Sequence, residues 1–407
     1  MTTASLSDEV KVEDWQFYDV RSAPVLRWLR QTEPVFHYKP LDFWILNKYD
    51  DVRFASRTPE LFSVEQGVLI NDARFGRNVA LDFFDPDGEL VSVQDPPRHG
   101  EIRRAIAPAF TPNAIGALED SLRAKTRELF DAVPRGQAFD FVHSFARIIP
   151  TIVVCQLVGV PPEEIDVEQI IFWGDEMPKV GAALSQEELA EAASNLDDLK
   201  VFLLDLFDRR RANPGVDLMS ILGRAQLDGK AVTRANVLTL AELTLLAGID
   251  TTRNTMSATM WSLAQHPSQL AKLVADPSLV KGTIEEVLRW VTPVPGFMRN
   301  AKQDIEMRGR TIKKGQYVFL HYFAANRDED YWSDPDTFDI TRATETGVLS
   351  FGYGQHACIG AALARLEVRV MLETFLARFS SVELAGTPKR VESPLQHGWH
   401  SLPLIMR

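Results

Sequence analysis

The segment Phe351-Gly352-Tyr353-Gly354-Gln355-His356-Ala357-Cys358-Ile359-Gly360 constrains this chain more than any other. It sets one cysteine behind a glycine-rich turn, and Ile359, Leu363, Leu366 and Val370 then recur at helical spacing through an alanine-rich stretch. Gly352, Gly354 and Gly360 permit positive φ angles and close backbone approach. Cys358 is therefore expected at a helix N-terminus, where unpaired N–H groups and the macrodipole favour an anion and lower the thiol pKa. Such a sulfur is ready to bind a metal. Taken alone, the same cysteine reads first as a buried structural residue in a tight turn.

The 407 residues, 45% hydrophobic and 25% charged, describe an ordinary soluble globular chain with ample core. No Gly/Ser-rich or Pro-rich linker, composition shift or internal repeat divides it, so residues 1–407 are expected to form a single domain. The formal net charge of −12 argues against nucleic acid as a partner, because phosphate binding rests on clustered Lys and Arg. The first ten residues hold neither a basic nor an apolar signal region. The longest uncharged stretch, 148–161, contains Pro150 and Gln156 and is too short to cross lipid, so no membrane association is expected. Cys155 and Cys358 form no disulfide framework, which fits a reducing cytoplasm.

Helical periodicity dominates, with helices expected over 20–30, 98–107, 113–133, 139–158, 186–212, 234–265, 281–291 and 358–377. Short strands are expected over 35–38, 43–46, 305–307 and 317–322, where β-branched and aromatic residues cluster. The segment 326–350 has no sustained period, a pattern that in a compact domain is functional or packed as coil.

Ala247-Gly248-Ile249-Asp250-Thr251-Thr252 interrupts the long apolar segment 234–265. Gly248 costs about 1 kcal/mol against alanine in a helix interior, and Asp and Thr compete for backbone hydrogen bonds. Gly248 is expected to admit something large, and Thr251 to distort the ladder locally. Glu286 and Arg289 stand at i, i+3 just before Thr292-Pro293. His99 and Arg103 lie one turn apart after Asp95-Pro96-Pro97, Arg299 follows Pro293-Val294-Pro295, and His356 precedes Cys358 by two residues.

Together these motifs resemble the cytochrome P-450 superfamily, in its soluble bacterial class I form. The cysteine segment matches the haem-binding loop F-x-x-G-x-x-x-C-x-G, from Phe351 through Cys358 to Gly360. The hexapeptide matches the oxygen-activating signature [AG]-G-x-[DE]-T-T, and E-x-x-R and H-x-x-x-R follow in family order. The resemblance implies a mainly α fold with small peripheral β-sheets (α+β), holding haem b between the long oxygen-activating helix and the cysteine-loop helix. It implies Cys358 as the thiolate ligand of iron, favouring O–O cleavage. His99, Arg103, Arg299 and His356 would bind the propionates, with Gly248 beside the cofactor. Asp250 and Thr251 would supply protons during oxygen activation, and Thr252 would be structural. Glu286 and Arg289 would lock the core beneath the haem, with Arg342 or Asn326 as partner.

A monooxygenase that hydroxylates a hydrophobic small molecule with O2 is then expected, whether steroid, terpenoid, fatty acid or aromatic. Val79, Leu81, Phe83, Phe84, Leu246, Ala247, Val294, Phe297, Met298 and Trp399 would line its pocket. Arg74 or Arg77 could anchor a substrate carboxylate. The chain carries no dinucleotide fingerprint, flavin signal or cluster cysteines. Electrons are thus expected from a separate 2Fe–2S-type ferredoxin and an NAD(P)H-dependent reductase, steered by Arg103, Arg104, Arg365 and Arg369. A monomer is expected. A peroxide-dependent peroxygenase would dispense with Asp250 and Thr251, and a non-catalytic haem sensor or electron carrier would not need them.

Overall fold

The computed structural model describes residues 6–82, 84, 87–342 and 347–407. Its longest helix, Arg234–Gln265, coincides with the expected one. Thr233 caps it, accepting the Asn236 N–H at 3.1 Å, and Pro267 follows its end. The helix is buried on nearly every side, as an interior helix must be. Several of its hydroxyl side chains are accommodated there because they bond back to the helix. The hydroxyls of Thr244, Thr251, Thr255, Ser257 and Thr259 donate to carbonyls four residues back at 2.7–2.8 Å. The ladder runs unbroken through Gly248 and Thr251, so the expected local distortion is not there.

Around this axis pack Ile148–Val158, Val167–Gly174, Asp197–Ala212, Val280–Val291 and Ala361–Leu376. Three expected helices are divided. The 113–133 helix becomes Pro112–Gly116 and Glu119–Asp131. The 139–158 helix opens as the strand Ala138–Asp140, turns through the π-helical Val142–Ala146, and only then becomes Ile148–Val158. The 186–212 helix breaks into Gln186–Ser194 and Asp197–Ala212, with Leu196 buried at the break. Periodicity carries across such a break because both halves bury the same face.

A five-stranded sheet runs in the order Val35–Tyr38, Phe43–Leu46, Tyr317–Leu320, Phe297–Ala301, Phe62–Ser63. Val318 stands opposite both Trp44 and Arg299, which puts Arg299 on an interior strand. The 317–322 strand stops at Leu320, and Tyr322–Ala325 is helical. Smaller sheets pair Val382–Leu384 and Ala138–Asp140 with Pro403–Met406, and Lys389–Arg390 with Trp399–Ser401. The result is the expected class, mainly helical with small separate sheets. Among the described residues no helix is long and apolar enough to cross a membrane.

The aperiodic segment after Asn326 is fixed by one buried ion pair. Arg289 Nε and Nη2 donate to Glu286 at 2.7 and 2.8 Å. Its remaining hydrogens reach the carbonyls of Asn326, Pro335 and Thr337 at 2.8–3.1 Å. Glu286 in turn accepts the Asp339 N–H at 2.8 Å and Arg342 Nε at 3.2 Å. Arg342 is therefore the charged partner, while the Asn326 side chain accepts Leu349 N–H at 2.8 Å and donates to Ser350 at 3.0 Å. Both expected candidates contribute, at different points. Removing one partner leaves an uncompensated buried charge, so Arg289→Ala should cost about 3–5 kcal/mol. Arg407→Ala, which breaks the exposed pair with Glu383, should cost less than about 1 kcal/mol. Denaturant midpoints of the two variants check this.

Candidate active site

The cysteine loop is a tight turn closed by its own backbone. Cys358 N–H donates to the Phe351 carbonyl and Gly352 N–H to the Leu349 carbonyl, both at 2.8 Å. Gly352 and Gly354 adopt φ of 67° and 71°, and a Cβ on Gly354 would lie 2.5 Å from the Ser56 carbonyl oxygen. Gly360 departs from the expectation. Its φ is −82° and a Cβ there would meet only Cys358 Sγ, at 3.8 Å. The helix starts at Ala361, past the expected residue 358, so Cys358 precedes the helix with Gly360 as its cap.

Cys358 is exposed on one side and enclosed by protein elsewhere. Burial pushes its thiol pKa up, against the pull of the Gly360 N–H, the Arg103 and Arg365 guanidiniums and the Ala361 N–H. The expected lowering is thus reversed, because desolvation outweighs these donors. They remain aimed at the sulfur and would favour a thiolate bound to a cation. Phe351 lies under the Arg365 guanidinium, 4.4 Å from ring centre.

Beside the sulfur sits a knot of two histidines and two arginines. The His99 and His356 ring centres are 4.0 Å apart. Burial, then Arg103, lowers His99 to about 4. Burial, then Arg299, His99 and Arg103, lowers His356 to about 2. Burial also lowers Arg299 and Arg103. Arg299 Nη1 donates to the Met298 carbonyl at 2.7 Å, and no carboxylate pairs with Arg299 or Arg103 among the described residues. His356 Nε2 is buried with no hydrogen-bond partner. Asp95 acts on His99 and Arg299 through space while it pairs with Lys302, and guanidiniums buried with so little counter-charge are costly.

On the long helix, Ala247 is exposed and Gly248 and Thr251 are partly so, while Leu246, Ile249 and Asp250 are fully buried. One stripe of the helix therefore faces open space. A Cβ on Gly248 would lie 3.0 Å from Val154 Cγ2, so the missing side chain there admits the helix Ile148–Val158. Asp250 Oδ1 stands 3.0 Å from Arg253 Nη2, and Gln396 Nε2 stands 3.4 Å from Asp250 Oδ2. Burial raises the Asp250 pKa to about 7 against the pull of Arg253. Asp175, Asn254 and Gln396 complete this cluster and carried no sequence signal; Arg253, at i+3 from Asp250, was the one local hint.

Comparison with known proteins bears on these groups together. The family model described as cytochrome P-450 matches residues 274–405. Linalool 8-monooxygenase of Pseudomonas putida is 33% identical over 390 residues, covering 93% of this chain and 94% of its own. The chain belongs to the cytochrome P-450 family. A methyl-branched lipid omega-hydroxylase of Mycobacterium tuberculosis is 32% identical, over 98% of this chain and 92% of its own. The crystal structure of CYP108D1 from Novosphingobium aromaticivorans superposes with a TM-score of 0.85 at 31% identity, covering 100% of this chain and 99% of that one.

As a cytochrome P-450 the protein is a haem monooxygenase, and its own residues fit haem b. The fit rests on the unpaired cations and the orphan His356 Nε2, which a dianionic edge would satisfy. Among the expected pocket residues, Ala247, Val294, Phe297 and Leu81 keep accessible surface. Val79, Phe84, Leu246, Met298 and Trp399 are instead packed in core clusters, since an apolar side chain satisfies either environment. Phe83 lies outside the described residues. A surface groove of about 610 Å³, bordered by Arg104, Pro108, Ile221 and Asp228, touches none of them.

The expected basic patch is largely cancelled. Arg365 pairs with Glu285 at 2.5 Å, and Arg369 with Glu119 at 3.0 Å and Glu373 at 3.1 Å. Arg123 closes a ring through the same two carboxylates. Sequence exposes charges but not the pairings that tertiary packing makes. Replacing Arg299 by Leu should leave the fold intact and speed haem loss to a haem scavenger by about tenfold or more, one charge-assisted hydrogen bond's worth. Transfer kinetics followed by absorbance check this.

Proposed function

We propose that this cytochrome P-450 uses O2 to hydroxylate a hydrophobic small molecule, drawing electrons from a separate 2Fe–2S-type ferredoxin and its NAD(P)H-dependent reductase. The observation that carries the reading is the pair of guanidiniums, Arg103 and Arg299, packed with neutral His99 and His356 beside Cys358 and lacking a carboxylate partner among the described residues, together with the open stripe of Ala247 and Thr251 on the long helix. When bound, haem supplies the oxygen activation that no side chain here can perform.

The chain's part is to bind, orient and deliver protons. Cys358 would bind the iron through its sulfur, and His99, Arg103, Arg299 and His356 would hold the propionates. Thr251 returns its hydroxyl hydrogen to the Ala247 carbonyl at 2.7 Å, which leaves its oxygen lone pairs directed outward. Asp250, buried and pushed to about 7, is poised to hold or give a proton near neutrality. Glu286, Arg289 and Arg342 keep the cysteine loop in place. Phe351 and Gly360 flank the sulfur. The acid and alcohol pair favours O2 over peroxide as oxidant.

For the substrate, Leu81, Ala247, Val294 and Phe297 are the expected apolar contacts that keep accessible surface. Arg74 is engaged with Asn71 at 3.1 Å and Arg77 with Gln186, which supports a substrate without a carboxylate. The linalool and methyl-branched lipid names of the relatives support a branched, terpenoid-like skeleton. Arg104, exposed and without an ion pair among the described residues, is the remaining cation of the expected ferredoxin patch. We take the enzyme to act as a single-domain, cytoplasmic monomer.

Thr251→Ala should keep the substrate-induced spin-state shift and lose product by about 10²-fold, the scale of a positioned proton donor. NAD(P)H oxidation should continue and end in peroxide. Product formed per NAD(P)H, with a branched alcohol as substrate, checks this; an unchanged ratio would sink the proton-delivery role.

A further inference from the structure

A cluster of buried polar atoms in the middle of the long helix lacks partners. Asp250 Oδ1, Arg253 Nε and Nη2, and Asn254 Oδ1 are enclosed and make no hydrogen bond. Arg253 Nη2 stands 3.0 Å from Asp250 Oδ1, near enough for ionic attraction but off hydrogen-bond alignment. The guanidinium is anchored in the other direction, where Nη1 donates to Asp175 Oδ1 at 2.6 Å. Asp175 follows the helix Val167–Gly174. Its side chain is 36% exposed, against 0% for Asp250. Orphan buried groups of this kind need an explanation, and charge movement is one.

The inner side is closed. Gln396 donates to Asp250 Oδ2 and accepts Asn254 Nδ2 at 2.9 Å. Its loop is wedged in place: a Cβ on Gly398 would lie 1.9 Å from Asn254 Oδ1, and Ser393 Oγ donates to the Pro178 carbonyl at 2.7 Å. Of the groups linked to Asp250 by these contacts, Asp175, reached through Arg253, is the one with exposed surface.

We propose that Arg253 is a positioning residue shared between Asp250 and Asp175, and that Asp175 is the solvent-side anchor that frees Asp250 to take up a proton. This rests on the reading of Asp250 as the acid of the reaction. Each cycle of the route moves one proton from solvent to the Asp250 carboxylate and then inward toward Thr251. Asp250 alternates between neutral and charged, and Arg253 stays protonated throughout. The groups acting on Asp250 are burial and Asp175, which raise it, and Arg253 and Gln396, which lower it. His400 and Glu392 lie beyond, around Arg253 and Asp175. Because the Asp250 pKa is raised, the stability contributed by its neutral form is full below the ordinary carboxylate range and is lost as pH rises through about 7. Without the Asp175 charge, Arg253 binds Asp250 alone and that loss moves to lower pH.

The test compares Asp175→Asn, Asp175→Glu and Asp250→Asn in the haem-loaded enzyme with substrate. Asp175→Asn should keep the substrate spin-state titration, lower kcat by about tenfold and enlarge the solvent deuterium isotope effect, short of losing the acid outright. In the resting protein, the carboxyl infrared band that Asp250→Asn deletes should titrate at lower pH than in wild type. Asp175→Glu should restore both readouts. If Asp175→Asn matches wild type in rate, isotope effect and band position while Asp250→Asn is slow, the inference is overturned and the acid reading stands. If Asp250→Asn itself turns over like wild type, both fall.

Discussion

Arg289 makes the rest of this structure possible. It sits buried with Glu286 on the helix Val280–Val291 and directs its donors to that carboxylate and to carbonyls of the aperiodic chain beyond Asn326. A buried ion pair recovers its desolvation cost only when its remaining valences are filled, and here the filling groups are a coil that has no ladder of its own. Asn326 extends the network to Leu349 and Ser350, at the threshold of the cysteine loop. The position of the cysteine loop is thus inherited from a charge pair on another helix.

The two sides of the site are tuned in opposite directions by the same cause. Burial lowers His99, His356, Arg103 and Arg299, leaving neutral imidazoles beside two guanidiniums that have no carboxylate partner among the described residues, a donor set that fits a dianion. Burial raises Asp250, holding it near neutrality where a proton can be kept or given. Burial also raises the Cys358 thiol. Low dielectric is the shared instrument, and the residue type decides the outcome.

Much of this was legible in the chain because chemistry fixed residue types at short spacings. The cysteine loop, Asp250 with Thr251, and Glu286 with Arg289 are local patterns, and so are the long helix and the strands at 35–38 and 43–46. Helix breaks at Leu196 and before Ile148 were hidden, since amphipathic period survives a turn that keeps the same face inward. Asp175 and Gln396 were invisible for another reason: tertiary packing carries them to Asp250 from distant segments. The arginines at 365 and 369 were read as free charge, and only the fold reveals Glu285, Glu119 and Glu373 beside them.

The central claim is that Cys358 and its cation cluster hold haem through a thiolate. The most direct measurement is the absorption spectrum of the reduced, carbon monoxide-bound protein, wild type against Cys358→Ala. The account predicts the strongly red-shifted Soret band of thiolate ligation in wild type and its loss in the variant. A Soret band at the position typical of histidine-ligated haem in wild type, or one unchanged in Cys358→Ala, would contradict it.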